Sequence, residues 1–367
     1  MRNPSWASCW VAIAIAGVAG GCADESGEAV GDATPRIYVS LPLRGPSGAD
    51  GRDAADGARL ALGDAGERAG GVALEAVFLD DTEGAGAAAA WTPAGAAANA
   101  RAATQDSTAI AYLGDFASGA TRASLPITNE ARMLQVSPAS SAVDLVAPFP
   151  GTDELPDAQP SGERSFGRVI PADDVQAAAA AQWARELGAR SAMVESDGSR
   201  FGRELGRAFS IAAQRLGLEL ARGAELTYLA GTPRPSGSEE IGTDAYLEPG
   251  QAERPTRLTS AALDPSQLPA TGRDFAERFE AEYGRAPGRY AAYGYEAMAL
   301  ILDSIERASN PVDRSAVIAA FFETADRSSV LGTYTIDEVG DTTLDRFTGY
   351  GLERGRLKAV AELSAGG

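Results

Sequence analysis

Residues 109–141 read AIAYLGDFASGATRASLPITNEARMLQVSPASS, and this stretch decides the fold. A short apolar run is followed by a loop of small residues, a helical segment and a second apolar run that ends at Ser137. Strands that alternate with helices in this way are typical of βαβ units, which build a parallel sheet covered by helices. We therefore predict strands at 109–113 and 133–136, with a helix near 123–129 between them.

The same alternation continues on both sides of this stretch. Further strands are predicted at 36–41, 72–79 and 191–194. Further helices are predicted at 52–69, 84–104 (interrupted by Pro93), 172–187, 202–216, 272–283, 290–308 and 314–323. Near the end, the pattern predicts a β-hairpin that pairs 332–336 with 348–352. A segment with four prolines, 144–166, breaks the rhythm, so the chain reads as one α/β unit, a break and a second α/β unit.

Composition excludes several classes of protein. The 367 residues contain 32 Lys and Arg against 51 Asp and Glu, a net charge of -19, which argues against binding nucleic acid or anionic lipid. There is no histidine, so the commonest general base and transition-metal ligand is missing, and a Ser-His-Asp relay cannot form. The loop 45–51 also lacks the lysine of a phosphate-binding P-loop. The sequence predicts no enzyme, no bound metal and no cofactor.

The amino terminus is typical of an export signal. An apolar run, WVAIAIAGVAGG at 10–21, is shorter than the roughly 20 residues that a membrane-spanning helix needs. Small residues precede Cys22, which predicts a signal peptide over 1–21. The cysteine itself resembles the lipobox of bacterial lipoproteins, although Ala19 stands where that pattern usually has leucine. A plain secretory signal with an incidental cysteine is the alternative.

Cysteine content and the next segment agree with a lipid tether. The only other cysteine, Cys9, lies inside the signal, so no internal disulfide is expected in the mature chain. Residues 22–35 are small and acidic and lack apolar periodicity, which predicts a flexible tether between lipid and body. We expect an extracytoplasmic protein, periplasmic or on the outer face of the cell membrane.

Three loops at predicted strand ends are candidates for a ligand site. They cover 45–51, 117–121 and 137–141, at the sheet edge where helix amino termini offer free N–H groups. The hydroxyl groups that could donate to a ligand carboxylate are those of Ser118, Thr121, Ser140 and Ser141. Helix capping is an equally ordinary use of serine and threonine at these positions.

Two acidic pairs and one aromatic group invite other interpretations. Asp80 with Asp81, and Asp173 with Asp174, could be catalytic or metal-binding carboxylates. We expect each pair instead to end a strand or cap a helix on an acidic surface. Tyr290 belongs to a group of three tyrosines for which core packing is the alternative to ligand contact.

Four stretches together resemble the type I periplasmic solute-binding proteins, in particular the leucine/isoleucine/valine-binding branch of ABC transport systems. They are IYVSLPLRGPSGADGRDAADGARLAL (37–62), YLGDFASGATRASLPITNEARMLQVSPASSAVDL (112–145), FGRELGRAFSIAAQRLGLEL (201–220) and FAERFEAEYGRAPGRYAAYGYEAMALILDSI (275–305). With weaker stretches, the resemblance spans most of 36–355.

The resemblance implies an α/β fold of two Rossmann-like lobes, with parallel central sheets joined by hinge crossovers. Lobe 1 would comprise 36–165 and 260–331, and lobe 2 would comprise 166–259 and 332–367. The lobes would close on a small amino acid or amide and deliver it to ABC permease subunits. A ligand-sensing receptor component and a degenerate scaffold that binds nothing are the alternatives.

The resemblance also implies site residues. Three of them, in the first lobe, would hold the α-carboxylate and α-amino group: Ser118, Ala139 and Ser141. Phe201 and Tyr290 would supply aromatic walls, and Asp244 would pair with the ammonium. The family usually has a helix and a strand between the positions of Leu226 and Thr227, and a further helix between Gly231 and Ile241. Here both are missing or much shortened, which predicts a shortened second lobe. Asp50 also stands where an aromatic residue is common.

Overall fold

The structure is a computed structural model that describes residues 33–148, 159–237, 239–248, 251 and 253–366. The predicted signal peptide, Cys22 and nearly all of the tether lie outside the described residues. The body, Thr34–Gly367, forms one compact unit. Within the described part of the chain, none of the helices is both long and apolar enough to cross a membrane.

Strands and helices alternate along the body. The strands in chain order are β1 (Arg36–Leu41), β2 (Arg68–Ala69), β3 (Val72–Ala73), β4 (Glu75–Asp80), β5 (Thr82–Glu83), β6 (Ala90–Trp91), β7 (Ala109–Gly114), β8 (Leu134–Ser137), β9 (Phe166–Arg168), β10 (Ser191–Ser196), β11 (Glu219–Leu220), β12 (Leu226–Ala230), β13 (Glu240–Gly242), β14 (Arg257–Ser260), β15 (Arg327–Ser329), β16 (Gly332–Tyr334), β17 (Arg346–Glu353) and β18 (Arg356–Ser364). The helices are α1 (Gly48–Asp64), α2 (Pro93–Gln105), α3 (Ser118–Glu130), α4 (Asp173–Glu186), α5 (Arg200–Arg215), α6 (Ala270–Tyr283), α7 (Ala291–Arg307) and α8 (Arg314–Phe322).

The first sheet is parallel throughout, in the order β4-β1-β7-β8-β9. Its strands are apolar on both sides because helices cover both faces. On β1, Ile37 and Val39 join the main core with α1 and α7, whereas Tyr38 packs with alanines of α2. Close approach of α1 to α7 requires glycine, since a Cβ on Gly294 would meet the Ala54 carbonyl oxygen at 1.9 Å.

The second sheet has the order β11-β10-β12-β13-β14-β17-β18. Strand β17 is antiparallel to both of its neighbours, β14 and β18, and the other pairs are parallel. Helix α5 covers one face, where Tyr228 stacks on Phe209 with ring centroids 4.1 Å apart. On the other face, the described connections from β12 to β13 and from β13 to β14 contain no α-helix. A single 3-10 turn, Asp244–Leu247, replaces it, and its buried Tyr246 packs on Leu229 and Leu258. The predicted shortening of the second lobe is confirmed.

Four predicted elements differ from the structure. The helix predicted at 52–69 ends at Asp64, with β2 following it, and the strand predicted at 72–79 is divided into β3 and β4. The predicted helix 84–104 begins only at Pro93, because proline suits the first helical position and Thr92 caps the helix by accepting from the Gly95 N–H at 2.9 Å. The hairpin predicted between 332–336 and 348–352 is wrong. Strand β16 pairs with β15, and β17 pairs with β18 across a turn where Gly355 has φ 77°. A two-residue turn with a left-handed glycine makes the local pairing easier to close than the distant one.

The strand β9 places part of the predicted second lobe in the first sheet. Residues 166–168 pair in parallel with β8, so the first sheet extends beyond the predicted boundary at 165. Arg168 is fully buried there, and its Nε contacts Asp341 at 2.5 Å. Its Nη1 donates to the carbonyl oxygen of Ala142 at 2.6 Å. A buried guanidinium therefore joins the β8–β9 connection to the segment between β16 and β17.

Candidate functional site

Asp115 fixes two loops at the carboxyl edge of the first sheet. Its backbone carbonyl accepts hydrogen bonds from the hydroxyls of Ser137 at 2.6 Å and Ser140 at 3.0 Å. Its carboxyl group is fully buried, accepts from the Tyr112 hydroxyl at 3.1 Å, and is also bonded by Ser124. Burial raises the pKa of Asp115 to about 6. The loops after β7 and β8 are thus tied to one buried group.

The predicted hydroxyls fall into two groups. Thr121 and Ser140 are fully buried and bond each other at 2.7 Å, so they hold the loops together. Ser118 begins α3, where the helix has no side-chain cap, and its oxygen accepts from the Ala142 N–H at 3.2 Å. A serine hydroxyl that accepts in this way still has its own proton to donate. Ser118 is therefore better placed to donate a hydrogen bond to an acceptor on a ligand than to cap the helix.

Ala139 and Ser141 lie on the second loop. The N–H of Ala139 donates to the Ser137 hydroxyl at 3.2 Å, which shapes the loop into a tight turn. The carbonyl of Ser141 accepts from the N–H of Asp173 at 2.9 Å, and the Ser141 side chain bonds the Asp173 carboxyl group. Ser141 therefore lies where the first-sheet loops meet the start of α4.

Asp173 is a buried group rather than the surface residue that we expected from the sequence. It is 2% exposed, and among the described residues its Oδ1 has no hydrogen-bond partner. Burial raises the pKa of Asp173 to about 7, opposed by Ser141 and Arg168. The same correction applies to Asp81, which is fully buried with both oxygens unpartnered in the described part of the chain.

Asp244 begins the 3-10 turn of the second lobe. Its carboxylate accepts from the Ala261 N–H at 3.3 Å and from Gln176 Nε2 at 3.4 Å, both long for hydrogen bonds. Burial raises the pKa of Asp244, and the positive charge of Arg289 opposes that shift. A half-buried carboxylate with only weak partners can accept a ligand ammonium.

Tyr290 connects the two halves of the candidate site. It precedes α7, is 8% exposed, and packs edge-to-face on Phe116 with centroids 4.6 Å apart. Phe116 lies two residues before Ser118. Burial raises the pKa of Tyr290 well above its usual value, and the next cause is the charge of Asp244. Tyr290 thus contacts the loop that leads to Ser118 and is influenced by the charge of Asp244.

Phe201 is the least tightly placed of the predicted residues. It is the second residue of α5, half-buried and packed against the main core. Its neighbour Arg200 reaches the first lobe, where its Nη2 contacts Asp144 Oδ2 at 2.6 Å. The helix carrying Phe201 therefore meets the first lobe, although its ring is not part of the Tyr290 group.

Sequence reasoning missed two charged residues of this region, Arg289 and Glu248. Arg289 Nη2 donates to Asp50 at 2.9 Å, and Glu248 accepts from Ser47 at 3.3 Å across the lobes. No local pattern marks either residue, because each belongs to an irregular connection. In the described residues, no three histidine, cysteine or acidic side chains converge as a metal site.

One parallel sheet and one mainly parallel sheet, with polar loops where their strands end, define a two-lobed α/β binding protein. The family model described as "Periplasmic binding protein" matches residues 34–233. The chain belongs to this family, which comprises extracytoplasmic binding proteins and not enzymes. A comparison with curated proteins found no match.

Solved structures share the fold at low sequence identity. A leucine-binding protein from Thermotoga maritima is 22% identical, with a TM-score of 0.70, covering 90% of this chain and 99% of its own. A substrate-binding protein from Desulfitobacterium hafniense in complex with leucine is 21% identical, TM-score 0.72, covering 89% and 100%. One from Rhodopseudomonas palustris in complex with 3,4-dihydroxybenzoic acid is 16% identical, TM-score 0.69, covering 90% and 98%.

Proposed function

We propose that this chain is a lipid-anchored solute-binding protein that captures a small amino acid or amide between its lobes and delivers it to an ABC permease. The proposal is supported by contacts that link the two sets of loops: Ser118 accepts from the Ala142 N–H, Tyr290 packs on Phe116, and the charge of Asp244 acts on Tyr290. The first-lobe loops supply hydroxyl donors, and the second lobe supplies a carboxylate.

The proposed ligand follows from this pairing of groups. A zwitterionic amino acid brings one carboxylate and one ammonium, and each buried charge needs a partner because an unpaired one costs several kcal/mol. Ser118 can donate to the ligand carboxylate, and Asp244 can accept from its ammonium. Structural neighbours are described in complex with leucine, isoleucine and 3,4-dihydroxybenzoic acid, which agrees with a small carboxylate-bearing solute.

The test is a thermal-shift screen of the purified body, residues 34–367, against amino acids and small amides. A ligand that binds only the folded state stabilises it by about 2.7 kcal/mol at a concentration of about 100 times its Kd. We expect at least one amino acid or amide to raise the melting temperature, with calorimetric titration confirming one site. A cooperatively folding protein that responds to nothing in the panel would contradict the proposal.

The absence of any response would favour the scaffold alternative. The specific observation for that alternative is that the described parts of the β12–β13 and β13–β14 connections contain no α-helix. An uptake measurement distinguishes a sensing role from a transport role. Cells lacking the gene should lose accumulation of the radiolabelled ligand if delivery to a permease is the function. Unchanged uptake with intact binding in vitro would favour a receptor.

A further inference from the structure

Arg289 carries an N–H group that lacks an acceptor. The side chain is 19% exposed, and its Nη2 is bonded to Asp50 at 2.9 Å. Its Nη1 is buried, and it has no hydrogen-bond partner within the described residues. The guanidinium carbon lies 5.3 Å from the centroid of the Tyr290 ring. A buried donor on a charged group is costly to leave unbonded, so an acceptor is missing at this place.

Arg289 lies near charged and polar groups of both lobes. Arg289 interacts electrostatically with Asp50 of the first lobe and with Asp244 and Tyr350 of the second. Glu248, also of the second lobe, interacts with both Arg289 and Asp50. Arg289 therefore stands beside Asp244, the proposed ammonium partner, and next to Tyr290. An acceptor at Nη1 would belong to whatever the two lobes enclose.

The surroundings of Arg289 decide what kind of acceptor fits. A carboxylate gains most from arginine when two parallel N–H groups grip both of its oxygens, but Asp50 already occupies one side of the fork. A second ligand carboxylate would also meet the like charges of Asp50 and Glu248. A carboxamide has one neutral acceptor oxygen and an NH2 group that can donate to a neighbouring carboxylate.

We propose that the ligand is an amino acid with a side-chain carboxamide, whose oxygen accepts from Arg289 Nη1 and whose NH2 group donates toward Glu248. This inference rests on the proposed function and names the ligand class of the same site. An aliphatic ligand side chain would leave Nη1 unbonded, and an acidic one would add negative charge beside Asp50 and Glu248.

Calorimetric titration of the body with glutamine, asparagine, glutamate, aspartate and leucine tests the inference. We expect an amide to bind at least about tenfold more tightly than its isosteric acid and than leucine. Equal or tighter binding of the acids, or of leucine, would overturn the inference while leaving the proposed function intact. Failure of every amino acid to bind would instead overturn the proposed function.

Two variants test which residues cause the expected preference for an amide side chain. Arg289→Met should reduce the amide-to-leucine preference by about tenfold, with leucine binding retained. Glu248→Gln should improve glutamate binding severalfold, because it removes a like charge. Arg285→Met is the matched control, since Arg285, like Arg289, pairs with aspartates of α1, here Asp53 and Asp56 at 2.5 Å and 2.8 Å. Equal loss of all ligands in Arg289→Met, with unchanged melting temperature, would contradict a role in choosing the side chain.

Discussion

At the scale of single residues, Ser118 joins two loops and keeps a hydroxyl proton free for a ligand. We expect Ser118→Ala to weaken amino-acid binding by about 1–3 kcal/mol, a factor of about 5 to 150, because a buried ligand oxygen loses its donor. Calorimetry measures this, with the melting temperature recorded because Ser118 also accepts from Ala142. Ser210→Ala on α5, which removes only a bond to the Gly206 carbonyl, is the control. Unchanged affinity would remove Ser118 from the site.

Asp81 is a buried carboxyl that should make stability depend on pH. Burial raises its pKa to about 8, with the charge of Asp115 acting in the same direction. The folded state therefore keeps a proton that the unfolded state has lost, so the free energy of unfolding falls as pH rises from about 4 to about 8. Asp81→Asn removes this effect. We expect it to stabilise the protein by about 1–3 kcal/mol near pH 9, with little effect near pH 5.

Urea denaturation at both pH values measures the difference. The control is Asp106→Asn, because the pKa of Asp106 is shifted in the opposite direction. Burial alone would raise the pKa of Asp106, but hydrogen bonds from Thr108, Tyr38 and Arg36 outweigh it and lower the pKa. Asp106→Asn should therefore destabilise the protein at neutral pH. If Asp81→Asn increased the free energy of unfolding equally at both pH values, the charge of Asp81 would not be the cause.

At the scale of elements, a shared ion pair joins α3, the turn Val143–Leu145 and α5. Asp144 contacts Arg122 from the first lobe at 2.5 Å and Arg200 from the second at 2.6 Å. Burial raises the pKa of Asp144, but its hydrogen bond to Arg122 and the charges of both arginines lower it overall. The carboxylate is thus charged at neutral pH and bridges the lobes.

Asp144→Asn should favour separation of the lobes. We expect ligand affinity to fall about three- to tenfold, since a partly exposed ion pair contributes about 1 kcal/mol to the closed state. X-ray scattering should show a larger radius of gyration without ligand. Glu225→Gln is the control, because its pair with Arg190 lies within the second lobe and is exposed. A change of equal size in both variants would argue for general electrostatics instead of a bridge between lobes.

Most elements could be predicted from local patterns, and the failures have local causes. The strand at 36–41 and the helix predicted at 314–323 agree closely with β1 and α8, since apolar periodicity and caps decide such ends. The hairpin predicted with 332–336 failed because strand pairing depends on which partner the fold brings near. Apolar alternation indicates a strand, but it does not indicate which strand it will pair with.

At the scale of the whole molecule, the proposed anchor is tested on the full chain. Cys22 lies outside the described residues, and the proposal rests on the small residues before it. We expect the full chain expressed in a bacterium to enter the membrane fraction and to carry lipid on its first mature residue, as measured by mass spectrometry. Cys22→Ser should release it, with Cys9→Ser as the control. Release of both proteins, or of neither, would contradict lipid attachment at Cys22.

Local periodicity and contiguous motifs were enough to predict the alternation of strands and helices in the first lobe, its loops and the family. Local patterns also suffice to select Ser118, Ser141 and Tyr290 as site candidates, since each follows a strand or stands at the start of a helix. The tertiary structure alone decided that Asp81 and Asp173 are buried and that Arg289 stands between Asp50 and Asp244. Burial and charge pairing depend on residues distant along the chain, so no local pattern carries them.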